Sequence, residues 1–240
     1  MTVQAATERR DQPRPALPVR DAATLILIDR SGPVPKVLLG RRHHGHRFMP
    51  GKFVFPGGRV ETNDRLMPAM GRLDPRAEAR LLRQVARPSR ALARGLALAA
   101  IRETCEETGL LIGTKSGDAP ATPGGPWTAF ADARVHPDLT ALHFIARAIT
   151  PPRQSIRFDT RFFAADAETI AHRLDGVTGP DAELVELVWL PIVETARLDI
   201  AQVTHVVLRW LEARIAAGMN PDLPVPFYRT THRGFMRDLL

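Results

Sequence analysis

Arg102-Glu103-Thr104-Cys105-Glu106-Glu107-Thr108-Gly109 is the stretch that decides how this chain is read. On a helix, at about 100° per residue, Glu103, Glu106 and Glu107 fall within one arc of roughly 100°. Leu98, Ile101 and Cys105 fall on the opposite side. One face can therefore be buried while the other is strongly anionic. Like charges at these spacings repel by about a few tenths of a kcal/mol per pair. A hard divalent cation with oxygen ligands offsets that repulsion, and a solvated acidic face is the plain alternative. Gly109 is placed to stop the helix just past its end.

Working outward, 24–29 (TLILID) predicts a buried strand ended by Ser31-Gly32-Pro33, and 36–40 predicts its partner. A polar loop follows, then a third strand over 52–55 that runs into Pro56-Gly57-Gly58. The pattern over 74–87 predicts a helix, with Asp74 as N-cap and Pro75 at the first position. Pro88-Ser89 breaks it, and a second helix is expected over about 90–108. Residues 113–126 read as a flexible loop. Strands are expected over 139–149, 157–164 and 184–190, and an amphipathic helix over 201–217, stopped by Gly218. Within 157–164, Phe158 and Phe162 share a face opposite Arg157, Asp159 and Arg161. Strands before and after a central helix predict an α+β fold, a mixed sheet between helices. The expected organisation is a flexible tail at 1–20 and one domain at 21–240, with a helical insertion at 65–90 and a C-terminal extension at 218–240.

The chain has 240 residues, 44% hydrophobic and 25% charged, which suits a globular protein with a substantial core. No run of eighteen apolar residues exists, so no membrane span is expected. The first residues lack the apolar core of a secretory signal. The single cysteine, Cys105, excludes an internal disulfide and fits a reducing, cytoplasmic setting. The net charge of +7 comes almost wholly from arginine, since lysine occurs only at 36, 52 and 115. A basic surface favours polyanionic partners. The arginines are scattered, however, so a small nucleotide or coenzyme is favoured over nucleic acid. The sequence leaves a homodimer open.

The stretch Arg102–Leu110 resembles the second half of the Nudix box, REUxEExGU, and Phe55-Pro56-Gly57-Gly58 resembles the turn that opens it. Gly58 and Arg102 lie forty-four residues apart, so about thirty residues are inserted relative to the usual box. Asp64 stands at the first acidic position and Thr104 at an aliphatic one. A box split after FPGG resembles the branch containing peroxisomal coenzyme A diphosphatases. So does the upstream pattern Leu38-Leu39-Gly40-Arg41-Arg42, then Arg47-x3-Gly51-x3-FPGG. The resemblance spans roughly 21–217.

It implies a metal-dependent diphosphatase acting on coenzyme A or an acyl-CoA. ADP-ribose, NADH or a dinucleoside polyphosphate are alternatives, as is a non-catalytic nucleotide- or RNA-binding module. Glu103, Glu106 and Glu107 would hold Mg²⁺ or Mn²⁺, which would neutralise phosphoryl charge and activate water. Glu103 or Glu106 could act as base, and Arg102 would pair with a carboxylate and fix its rotamer. Gly57 and Gly58 would bring backbone close to metal and substrate, and Arg42 and Arg47 would meet a phosphate. Asp64 and Glu186 are candidate extra acids, with Glu183 and Asp181 beside them. His43, His44 and His46 are read as loop residues rather than a zinc site. Cys105 is read as a buried hydrophobe, and Trp127 and Phe130 as packing residues. The insertion is expected either to cover the site or to be a helical decoration.

Overall fold

β1 (Val19–Asp29) is buried on both faces, and the two-residue period of a strand divides its side chains between two cores. Leu25 and Leu27 enter one hydrophobic cluster, and Ile26 and Ile28 enter the other. A strand covered on both faces reads as an unbroken apolar run, which is why TLILID stood out. The computed structural model describes residues 17–46, 49–152, 154–232 and 234–240. β1 begins at Val19, so the last residues of the expected tail belong to the sheet; the rest of that tail, 1–16, lies outside the described residues.

The first half of the chain continues with β2 (Lys36–Arg42), β3 (Phe53–Val54), β4 (Gly57–Arg59), α1 (Pro75–Leu81) and α2 (Arg90–Thr108). Then come β5 (Leu110–Ile112), β6 (Thr114–Lys115), α3 (Thr128–Asp132), β7 (Val135–His136), β8 (His143–Ile149) and β9 (Arg157–Asp166). The chain closes with β10 (Ile170–Arg173), β11 (Leu184–Pro191), α4 (Gln202–Ala216), β12 (Pro226–Thr231) and β13 (Gly234–Leu239). Among the described residues, nine strands make one sheet in the order β11-β2-β1-β9-β8-β12-β13, with β3 on β2 and β4 on β1. β1 with β9 and β8 with β12 are parallel; the other pairs are antiparallel. α2 packs on one face through Leu96 and Ile101, and α4 on the other through Val207, Leu208 and Leu211. The result is the expected α+β sandwich.

α2 occupies the predicted span because its ends are written locally. Ser89 Oγ accepts from the Leu92 N–H at 3.1 Å, and Gly109 takes φ 73° and donates to Cys105 O. A Cβ on Gly109 would come within 2.5 Å of Leu174 O, so only glycine fits there. Thr104, at the aliphatic position of the box, is buried with its hydroxyl bonded to Ala100 O at 2.8 Å.

Three expectations change. The helix at 74–87 is capped by Asp74 as expected but ends at Leu81, and Gln84 turns to φ 54°. The stretch 65–90 is therefore mostly irregular, because the Arg147 guanidinium donates to Arg83 O and Gln84 O and holds the chain out of helix. Part of the loop at 113–126 forms β6, paired with β7. The C-terminal extension is a hairpin whose first strand joins the sheet at Tyr228↔Ala148.

One departure from regular pairing places the site. β1 and β2 pair at Ile28↔Val37 and Asp29↔Lys36, then splay apart. β4 takes the edge of β1 (Thr24↔Gly57, Ala22↔Arg59), and β3 takes the edge of β2. The C-terminal end of α2 faces the opening between them.

Candidate active site

A cleft of about 1100 Å³ lies over this opening. Arg42, Lys52, Gly57, Gly58, Glu103, Glu107 and Glu183 line its near end. The Pro56-Gly57-Gly58 turn is pressed against the α2 carboxylates. Gly57 N–H donates to Glu107 Oε2 at 3.1 Å, and a Cβ on Gly58 would fall 2.5 Å from Glu103 Oε1. A Gly58→Ala protein is expected to push the Glu103 carboxylate aside and lose about 10²-fold in kcat, since a misplacement near 1 Å costs that much. Its melting temperature should stay within a few degrees of wild type, as steady-state kinetics and calorimetry would show together.

Arg102 ties the pieces together. Its side chain is 2% exposed, and its Asp64 partner is fully buried. Nε and Nη2 donate to the two Asp64 oxygens at 2.7 and 3.1 Å. Nη1 donates to Glu103 at 2.9 Å and to Glu106 at 2.6 Å, and Nη2 also donates to Arg59 O at 2.8 Å. All the guanidinium donors are thus used. One side chain joins β4, the residues after it, and the acidic turn of α2.

The anionic face is not the solvated face that periodicity allows: Glu106 is exposed, but Glu107 is buried and Glu103 mostly so. Burial pushes the Glu103 carboxyl up to about 7, Glu106 and Glu183 pushing the same way and Arg102 opposing. Glu107 is raised well above the usual range by burial, with Glu183 and Glu103 adding to the rise. Among the described residues, no three acidic, His or Cys side chains converge into a cage. Mg²⁺ does not need one, because it keeps several waters and binds through one or two carboxylates plus substrate phosphates. The donor chemistry of Glu103 and Glu107, hard, buried and mutually repelling, fits such an ion.

A pH dependence follows for the metal-free protein. The folded value of Glu103 lies above its unfolded one, so its contribution is fully present below about pH 4.5 and is lost as pH rises through 7. The loss is of order 3 kcal/mol. The increase in melting temperature produced by Mg²⁺ is therefore expected to be small at pH 5 and large at pH 8. Thermal melts with and without the ion check this.

A scan of protein-family models and a search of curated proteins found no match to the sequence. Among solved structures, the chain is similar to a Nudix hydrolase from Alicyclobacillus acidocaldarius, at 29% identity and TM-score 0.59, covering 84% of this chain and 96% of that one. The chain has the Nudix fold. It is also similar to the Nudix domain of Shewanella oneidensis NrtR complexed with ADP ribose, at 13% identity and TM-score 0.47, over 85% and 94% of the two chains. A C. elegans Ap4A hydrolase matches at 13% identity and TM-score 0.44, over 83% and 99%. The Alicyclobacillus likeness supports the Nudix superfamily and a hydrolase acting on pyrophosphate bonds.

Within this Nudix fold the sequence-predicted residues separate. Glu103, Glu107, Gly57, Gly58 and Arg42 meet in the cleft. Glu106 stands beside it, one oxygen taken by Arg102. Arg47 lies outside the described residues. Asp64 is withdrawn beneath the site, accepting from Arg102 and from Glu61 N–H, so it is an anchor for Arg102 and not an acid of the cleft. Glu186 is exposed and paired with Arg41 at 2.9 Å, away from the lining. Its neighbour Glu183 lines the cleft and pairs with Arg42 at 2.5 Å. Alternation places the two glutamates differently but does not say which side is the cleft. Lys52 and Arg59 also line it, and the sequence reading did not single them out. His46 joins the lining beside Arg42. Arg161 is buried on Asp21 and Asp159. Trp127 and Phe130 are fully buried, and Cys105 is a buried thiol pushed up to about 12. Residues 65–90 contribute nothing to the cleft wall and so do not cover it.

Proposed function

We propose that this cleft hydrolyses the diphosphate of a nucleoside diphosphate-linked substrate, with coenzyme A or an acyl-CoA preferred, giving 3′,5′-ADP and a 4′-phosphopantetheine. The observation that carries the reading is the packing of Glu103 and Glu107 against Gly57 and Gly58 at the cationic end of a large cleft. The FPGG turn and the acidic helix, apart in sequence, act here as the two halves of one split box. Glu103 and Glu107, with Glu106 adjoining, would hold Mg²⁺ or Mn²⁺. When bound, the ion supplies neutralisation of phosphoryl charge and a water acidic enough to attack.

The chain's own residues do the rest. Arg42, Lys52 and Arg59 offer positive charge to the phosphates, and the Arg42 Nε–H has no partner among the described residues. Arg102 positions Glu103 and Glu106 and touches no substrate. Glu183 is the further acid lining the cleft, and in this reading it would accept a proton from the attacking water. The upstream arginine pattern favours coenzyme A within the wider substrate range.

Incubation with Mg²⁺ and acyl-CoA, following 3′,5′-ADP, tests the substrate. Turnover of ADP-ribose, NADH or a dinucleoside polyphosphate instead would move the assignment. Tight, strongly salt-dependent RNA binding without any turnover would replace the enzyme by a binding module.

A further inference from the structure

The cleft has two unlike halves. Its charged lining among the described residues is Arg42, Lys52, Arg59, Glu103, Glu107 and Glu183. All six belong to β2, β4, α2 or the segments beside β3 and β11, on one side of β1 in the sheet order. Beyond β1 the cleft crosses β9, β8, β12 and β13, and among the described residues no charged side chain lines it there. Ile149, Ile156, Phe158, Val203, Tyr228 and Phe235 make up much of that half.

Strand register gives the floor a direction. Arg59 pairs with Ala22, Ala22 with Thr160, Thr160 with Ala148, and Ala148 with Tyr228. These partners form one row across the sheet, and all of them line the cleft. At about 4.8 Å per strand, the row runs roughly 19 Å from β4 to β12. Small side chains at Ala22, Thr160 and Ala148 keep it open. At its end Phe235 of β13 stacks on Tyr228, with ring centroids 5.8 Å apart and planes at 16°. Tyr228 is held in turn, its hydroxyl accepting from Trp210 Nε1 at 2.8 Å. Phe235 is nevertheless 69% exposed, a large aromatic fixed in place with its outer face uncovered.

We propose that this trough is a subsite for an uncharged apolar chain carried by the substrate, with Tyr228 and Phe235 of the C-terminal hairpin as its end wall. The inference rests on the cleft being the diphosphate site and adds what the far half receives. A chain directed along the floor would leave water for the apolar surface of Ile149, Ile156, Phe158, Tyr228 and Phe235, and its affinity would grow with each methylene. An anionic extension would find no ionic partner among the described residues of that half.

Two measurements separate this subsite from the substrate reading. Calorimetric titration with ethyl, octyl and dodecyl phosphate, below their micellar concentrations, needs no turnover. Binding is expected to tighten at least about tenfold from ethyl to dodecyl phosphate. Phe235→Asp should abolish that gain and Phe235→Leu should keep most of it; Phe235 is exposed enough for both proteins to fold. In parallel, KM for acyl-CoA esters should fall with chain length in wild type and flatten in Phe235→Asp. Chain-length-independent binding of the alkyl phosphates, or a gain unchanged by Phe235→Asp, overturns the subsite. Turnover of acyl-CoA with KM indifferent to chain length overturns it while the coenzyme A reading stands. The alkyl phosphate ladder without acyl-CoA turnover keeps the subsite and removes the coenzyme.

Discussion

Glu107→Gln is expected to remove nearly all hydrolytic activity, by about 10³-fold in kcat, while the protein stays folded. The substitution is isosteric, and the amide oxygen can still accept from Gly57 N–H, so the turn keeps its contact. What disappears is a negative charge buried beside Glu103 and Glu183. Losing one carboxylate from a divalent-ion site forfeits several kcal/mol of transition-state charge stabilisation, and about 1.4 kcal/mol is tenfold in rate. Without metal, stability should rise, because an acid that is costly to ionise has become neutral. The pairing of lower kcat with a higher metal-free melting temperature separates a functional acid from a structural one. Full activity in this variant would remove Glu107 from the site.

Arg102→Met is expected to have the largest effect on the fold. It removes every donor of the guanidinium and leaves Asp64 as a fully buried carboxylate facing a thioether. Breaking a buried pair from one side costs about 3–5 kcal/mol, which for a chain of this size lowers the melting temperature by about 10 °C. The double variant Arg102→Met/Asp64→Leu should recover much of that stability, since an apolar replacement of a whole buried pair is often near neutral. It should not recover activity, because Glu103 and Glu106 would still lack their anchor. Denaturation and kinetics on the single and double variants give both numbers.

The elements legible in the sequence are those whose signals are local. α2 is written by Ser89, an apolar face and Gly109, each within a turn of the residue it governs. β1 and β9 show as apolar or alternating runs. The acidic turn names the chemistry for the same reason. The contacts that make a site of it are not local. Gly57 reaches Glu107 across fifty residues, and Asp64 reaches Arg102 across thirty-eight. Neither separation follows from periodicity, so Asp64 read as an acid of the site when it is the buried partner of Arg102. The C-terminal hairpin was obscured by Pro221, Pro224 and Pro226, which break up the run before Phe227 and Tyr228. Arg147 pinning Arg83 and Gln84 shortened α1 in a way no pattern over 74–87 foretells.

The Arg102 clamp also sets an order of events for the folding chain. Its contacts to Glu103 and Glu106 lie one and four residues away and form as soon as the helix does. Its contacts to Arg59 and Asp64 must wait until a long loop has closed, and closure is the slow, entropy-limited step. The raised carboxyls of Glu103 and Glu107 come from burial, with Arg102 opposing the rise at Glu103, so they belong to the state in which β4 has docked on the helix. The site is complete only once that long-range closure has been made.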